Sequence, residues 1–112
     1  HRTGKWTFDV PDHYLNENYT CKLLIRAVLD DTNENILKYS CKIIINDQIL
    51  HNGILHLEHG YPKATKFTNW KTLSFNVKNI LAKNIVTIHN TSEASENNWI
   101  ALDWIELRLI PR

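Results

Sequence analysis

An all-β fold, a β-sandwich of two antiparallel sheets with jelly-roll connections, is predicted by three observations. Apolar residues alternate with period two in seven short segments, polar turn residues separate those segments, and only one short stretch has helical character. The first segment, 5–10, puts Trp6, Phe8 and Val10 on one face and so sends Trp6 to the core. Segments 20–29 and 39–46 resemble each other and are rich in Ile, Leu and Val, which suit a pleated, half-buried surface. A short strand at 54–58 follows, then strands at 70–77, 84–90 and 99–110. Asn46-Asp47, His51-Asn52-Gly53 and Gly60-Tyr61-Pro62 supply turn chemistry between them. Residues 78–83 have the composition of one helical turn, too short to form a layer. A single sheet with this apolar content would leave a face uncovered, and a second sheet is the remedy.

The chain has 112 residues, 43% of them apolar, and a formal charge of +1. One domain spanning 1–112 is expected, burying roughly 65% of its unfolded surface. Charge is mixed along the chain with no run of Lys or Arg, so neither nucleic acid nor a membrane surface is an expected partner. No apolar run approaches the roughly 20 residues of a membrane span, and His1-Arg2-Thr3-Gly4-Lys5 lacks the apolar segment of a signal peptide. With no methionine, even at position 1, the chain reads as a module excised from a longer protein.

If segments 20–29 and 39–46 paired as a hairpin turning near Asn33 and Glu34, Cys21 would face Asn46 and Cys41 would face Arg26. That register separates the cysteines by about 17 Å along the strands, whereas a disulfide needs Cα atoms within ~7 Å. Two free, buried thiols are expected. The triplets Asn18-Tyr19-Thr20 and Asn90-Thr91-Ser92 are glycan acceptors in a eukaryotic secretory protein. The richness in Asn, Lys and Ile instead favours a bacterial protein, secreted or held at the cell surface.

The aromatic residues carry the functional expectation. In the last segment Ala101, Ile105, Leu107 and Leu109 share one face by strict alternation, and Leu102, Trp104, Glu106 and Arg108 share the other. Trp70 falls in phase with Thr72, Ser74 and Asn76, opposite Leu73, Phe75 and Val77. Two indoles thus point away from the core, and exposed indoles leave apolar faces in water unless a loop, a second apolar cluster or a ligand covers them. In the polar connection 89–99, Asn97 and Asn98 stand beside Trp99, and Tyr61 is a second loop aromatic. Amides both donate to and accept from hydroxyls, while an aromatic ring stacks on an apolar face. A sugar ring has both features. Trp99, Trp70, Tyr61 and Trp104 are candidate stacking platforms, with Asn97, Asn98, Glu106 and Arg108 as hydrogen-bonding groups.

The ending Asn98-Trp99-Ile100-Ala101-Leu102-Asp103-Trp104-Ile105-Glu106-Leu107 resembles the last strand of carbohydrate-binding modules with the galactose-binding-like jelly-roll fold. The upstream order of a Leu-x-Ile-Arg-Ala strand, a strand ending in Asn46-Asp47, a Gly-containing loop and an Asn-Ile-Val-Thr-Ile strand is similar too. The resemblance implies a non-catalytic module that targets a glycoside hydrolase or surface protein to an oligo- or polysaccharide, with Asn98 and Trp99 in a ligand loop. It also implies a structural calcium at the position of Asp103, held with acidic residues near the N-terminus. Here only Asp9 and Asp12 are available, and no cofactor is expected. The competing expectation is an interaction or spacer sandwich whose indoles meet other domains of the parent chain.

Catalysis has little support. No Gly-x-Ser-x-Gly elbow or phosphate-binding Gly-rich loop is present. The carboxylates Glu58, Glu93, Glu96, Asp103 and Glu106 could in principle provide an acid-base pair for glycoside cleavage, but they are expected to solvate loops and edges, which ranks an enzyme active on sugars third. His51, His56 and His59 cluster in sequence, but on a strand His56 and His59 point to opposite faces and no zinc-site spacing repeats.

Overall fold

Alternation becomes seven strands in the computed structural model, which describes residues 3–29, 39–58, 60, 69–92 and 100–112. The strands are β1 (Thr3–Asp9), β2 (Tyr19–Leu29), β3 (Ser40–Ile45), β4 (Gln48–Ile54), β5 (Lys71–Val77), β6 (Lys83–Asn90) and β7 (Ile100–Pro111). They form two antiparallel sheets, four-stranded in the order β1-β6-β3-β4 and three-stranded in the order β5-β2-β7. Every connection except β3 to β4 passes from one sheet to the other. Between them lies one core, built from Leu23, Ile25, Ala27 and Leu29 of β2, Cys41, Ile43 and Ile45 of β3, and Val86 and Ile88 of β6.

The β3–β4 turn shows the local chemistry. Ile45 pairs with Gln48, leaving the two residues Asn46 and Asp47 as the loop. Asn46 takes φ 53°, the left-handed conformation such tight hairpins need and Asn tolerates. Its side chain then holds the neighbouring strand. Oδ1 accepts the Ile85 N–H at 3.0 Å, and Nδ2 donates to Oδ1 of Asn84 at 3.0 Å. Asn84 is fully buried and also accepts from the Leu81 N–H (2.8 Å) while donating to the carbonyls of Leu81 (2.6 Å) and Phe8 (3.3 Å). One amide thus ties β1, β6 and the hairpin together.

Four sequence expectations change. Strands β2 and β3 lie in different sheets and are not a hairpin: Cys21 pairs with Val77 and Leu109, and Cys41 with Gly53 and Asn90. Both thiols are nevertheless free and buried. His51-Asn52-Gly53 is not a turn but part of β4, because the tight Asn46-Asp47 loop starts the return strand at once. The strand expected at 54–58 is extended chain beyond Ile54: Leu55 and Leu57 are buried as alternation demands, yet the segment bonds singly to both sheets (Leu55 N–H to Tyr39 O, Leu29 N–H to Glu58 O, 2.9 Å each). Residues 78–83 form no helix, and the one helical turn among the described residues is the 3-10 turn Asp12–Tyr14.

Trp6 faces inward on the edge strand β1 but is only half-buried, its ring lying over Gly4. A Cβ at Gly4 would stand 2.9 Å from Cζ3 of that ring and closer still to Cη2. Gly4→Ala therefore forces the ring to shift and is expected to lower unfolding free energy by about 1 kcal/mol, the low end of the overpacking range because the ring is only half-buried. Denaturant melts of that variant beside Trp6→Leu/Gly4→Ala check it, since the smaller side chain removes the collision.

Candidate functional site

Register puts the polar phases of β5, β2 and β7 on the outer face of the three-stranded sheet. Arg26 is opposite Thr72 on one side and Trp104 on the other; Leu24 is opposite Ser74 and Glu106; Lys22 is opposite Asn76 and Arg108. Trp70, just before β5, has the guanidinium of Arg26 5.8 Å above its ring. Two indoles therefore flank one arginine, with hydroxyl, amide and charged side chains running away from them. Arg26 was not foreseen as a site residue, although an arginine inside Leu23-Leu24-Ile25-Arg26-Ala27-Val28-Leu29 is a visible break in an apolar run.

A bulge shapes this face. Arg26 pairs with Trp104 but Ala27 pairs with Leu102, so Asp103 is the extra residue on β7. The insertion swaps the phase upstream: Leu102 and Ile100 join Ile105, Leu107 and Leu109 against the core, while Ala101, placed on the core face by strict alternation, faces out opposite Val28. The bulge also brings Oδ2 of Asp103 to 3.0 Å from Nε of Arg26. That Nε is shielded from water and does not aim its hydrogen at the carboxylate, so charge rather than a hydrogen bond holds the pair. Arg108 reaches Oε2 of Glu106 through both Nε (2.7 Å) and Nη2 (2.6 Å). Both pairs are partly exposed and add little stability, about 0 to 1 kcal/mol each; their effect is to fix the positions of charged groups.

Two apolar side chains on this face are covered. Val28 and Leu24 face away from the core yet are only 0% and 7% exposed, and neither belongs to the main core cluster. Trp104 is 39% exposed and also lines a cleft of about 450 Å³ between the edge strands β1 and β7, together with Trp6, Phe8 and Asp103.

Of the expected site residues, Trp70, Trp104, Glu106 and Arg108 thus share one sheet face. Tyr61, Asn97, Asn98 and Trp99 lie outside the described residues, as does His59. Around the cleft beside Asp103 stand Trp6, Thr7 and Phe8, and neither Asp9 nor Asp12 lines it. Among the described residues no three His, Cys, Asp or Glu side chains come together as a metal-binding group. His51 uses Nε2 on the carbonyls of Ile54 and Gly53 (3.0 and 3.3 Å). Asn90 is buried and its Oδ1 accepts the Ser92 N–H, so that sequon is closed to a glycan in the folded chain, whereas Asn18 is exposed. Burial pushes the Cys21 thiol up to about 11 and the Cys41 thiol up to about 12, leaving both protonated and unreactive near neutrality.

Beside the 3-10 turn, where the start of β2 meets the end of β5, is a cavity of about 770 Å³ that the sequence did not announce. Tyr14 and Tyr19 meet edge to face in its wall, 5.1 Å between centroids. No protein-family model, curated protein or solved structure matches this chain.

Proposed function

We propose that this domain is a non-catalytic carbohydrate-binding module, exported as part of a polysaccharide-degrading enzyme or surface protein. One observation carries the reading: Trp70 and Trp104 flank Arg26 on the outer face of a sheet whose remaining outward side chains are mostly hydroxyls, amides and paired charges. Indoles supply flat apolar platforms for the C–H faces of sugar rings, and the surrounding groups meet the hydroxyls in both donor and acceptor roles. The resemblance of 98–107 to the last strand of galactose-binding-like modules points the same way. Trp99, Asn98, Asn97 and Tyr61 are proposed as further contacts.

Strands lie about 4.8 Å apart, so a platform at the start of β5 and one on β7 are separated by about 10 Å across β2. That span suits an oligosaccharide better than one ring. Trp104→Ala is expected to weaken saccharide binding about 5- to 150-fold, corresponding to about 1 to 3 kcal/mol for a lost aromatic anchor. Trp70→Ala should weaken it similarly, and it also removes the ring that faces the Arg26 guanidinium. A glycan array on the wild type followed by calorimetry on both variants tests the reading; full affinity in both variants would remove the sheet face from consideration.

A second reading, an interaction module, is favoured by one feature of the other sheet. Ile49, Ile85 and Ile54 are 59%, 50% and 42% exposed on its outer face. Such residues suit contact with a neighbouring domain of the parent chain. Failure of every saccharide to bind would move this reading ahead.

A further inference from the structure

We propose that the glycan, seated at the pair of indoles, continues along β5 and places one of its ends in the cavity at the foot of the sandwich, so that the module recognises chain termini. This rests on the carbohydrate reading above and names the part of the ligand that decides specificity. The connecting path is β5 itself. Its outward side chains run Trp70, Thr72, Ser74, Asn76, and the last three are exposed. At ~3.3 Å per residue the row is about 20 Å long. Asn76 stands at its end, opposite Lys22 on the outer face, and is also part of the cavity lining. Asn76 is therefore common to the outward row and to the cavity lining.

The cavity suits a terminal sugar unit. Its volume of about 770 Å³ falls within the usual range for small-ligand sites, about 300 to 1,000 Å³. Cys21 and Val77 of the core cluster are part of its lining, so on that side the cavity ends against the core. Tyr14 and Tyr19 give it an aromatic corner, while Glu17, Lys78 and Asn79 add an acceptor, a donor and an amide to the lining.

Both walls are braced from within the protein. Asn16 holds the tyrosine side by donating Nδ2 to the His13 carbonyl (2.8 Å) and accepting the Asn18 N–H at Oδ1 (2.9 Å). Gln48 of β4 holds the other side, accepting the Lys78 N–H at Oε1 (2.8 Å) and donating Nε2 to the Lys78 carbonyl. Asn79 keeps φ 53° at the next position. Walls fixed in advance lower the ordering cost of binding.

The test uses β-1,4-linked gluco-, xylo-, manno- and galacto-oligosaccharides from di- to hexasaccharide. Each is titrated calorimetrically with both ends free, with a bulky aromatic label on the reducing end, and with the non-reducing end blocked by a ketal. For the best binder, blocking one end should cost the wild type at least tenfold in affinity. Tyr14→Ala should cost as much for the free oligosaccharide and nothing further for the blocked one. Asn79→Gly, which preserves the backbone conformation, provides a second variant should Tyr14→Ala unfold. Binding that is lost in Trp104→Ala but indifferent to both end blocks and to the cavity variants overturns chain-end recognition and leaves the sheet-face reading standing. No binding of any oligosaccharide to the wild type overturns both.

Discussion

Raising the pH above about 9 is expected to destabilise the domain steeply, and the two buried thiols are the cause. Burial raises Cys21 from 9.0 to about 11 and Cys41 from 9.0 to about 12. A group whose proton is held more tightly in the folded state contributes its full stability below the unfolded value. That contribution falls as pH rises through the folded value. The window therefore opens near pH 9 and closes near 12. At its steepest each thiol removes about 1.4 kcal/mol per pH unit, against total stabilities of about 5 to 15 kcal/mol for ordinary domains. Urea melts from pH 7 to 11 on the wild type and on Cys21→Ala/Cys41→Ala isolate the effect, because the two proteins differ only at the thiols. Parallel stability curves would show that the thiols are better solvated than their burial implies.

Asn84→Ala should be the most damaging single polar substitution, lowering stability by about 3 to 5 kcal/mol. Four contacts are lost at once: those from Asn46 and Leu81 and those to the carbonyls of Leu81 and Phe8. Each buried hydrogen bond contributes about 1 kcal/mol, and partners left unsatisfied cost about 1 to 3 kcal/mol more apiece where water cannot reach them. The chemical-denaturation midpoint should fall with an unchanged slope. A loss below about 1 kcal/mol would mean that the site admits water freely.

The fold was legible because alternation survives in nearly every strand. Leu23, Ile25, Ala27 and Leu29 could be read onto one face without knowledge of their neighbours. Which strands pair was not legible: the likeness of the segments around Cys21 and Cys41 suggested a hairpin, yet each is an interior strand of its own sheet, and interior strands resemble one another because both are buried. Period two also fails at a bulge. Asp103 leaves no signature beyond its place in an apolar run, so Ala101 and Leu102 could not be assigned correctly from spacing. The outward phase of Trp70 and Trp104 was readable, while Arg26 became part of that face only through registers on both sides. The cavity at the foot depends on a 3-10 turn and a loop approaching from distant parts of the chain, contacts that no local pattern encodes.

The pairing order has a kinetic consequence. Strand β2, the most apolar of the seven, has both of its hydrogen-bonding partners far downstream, in β5 from Lys71 and β7 from Ile100. A chain emerging from the ribosome exposes this strand with both edges open until β5 and then β7 have been made. Closure must wait for distant contacts, and topologies of this kind fold slowly. During that wait β2 is the segment most prone to join another chain. Arg26 and Lys22 interrupt its length with charge at two positions, the placement by which sequences discourage such association. The same arginine that stands between the indoles in the finished domain thus guards the unfinished one.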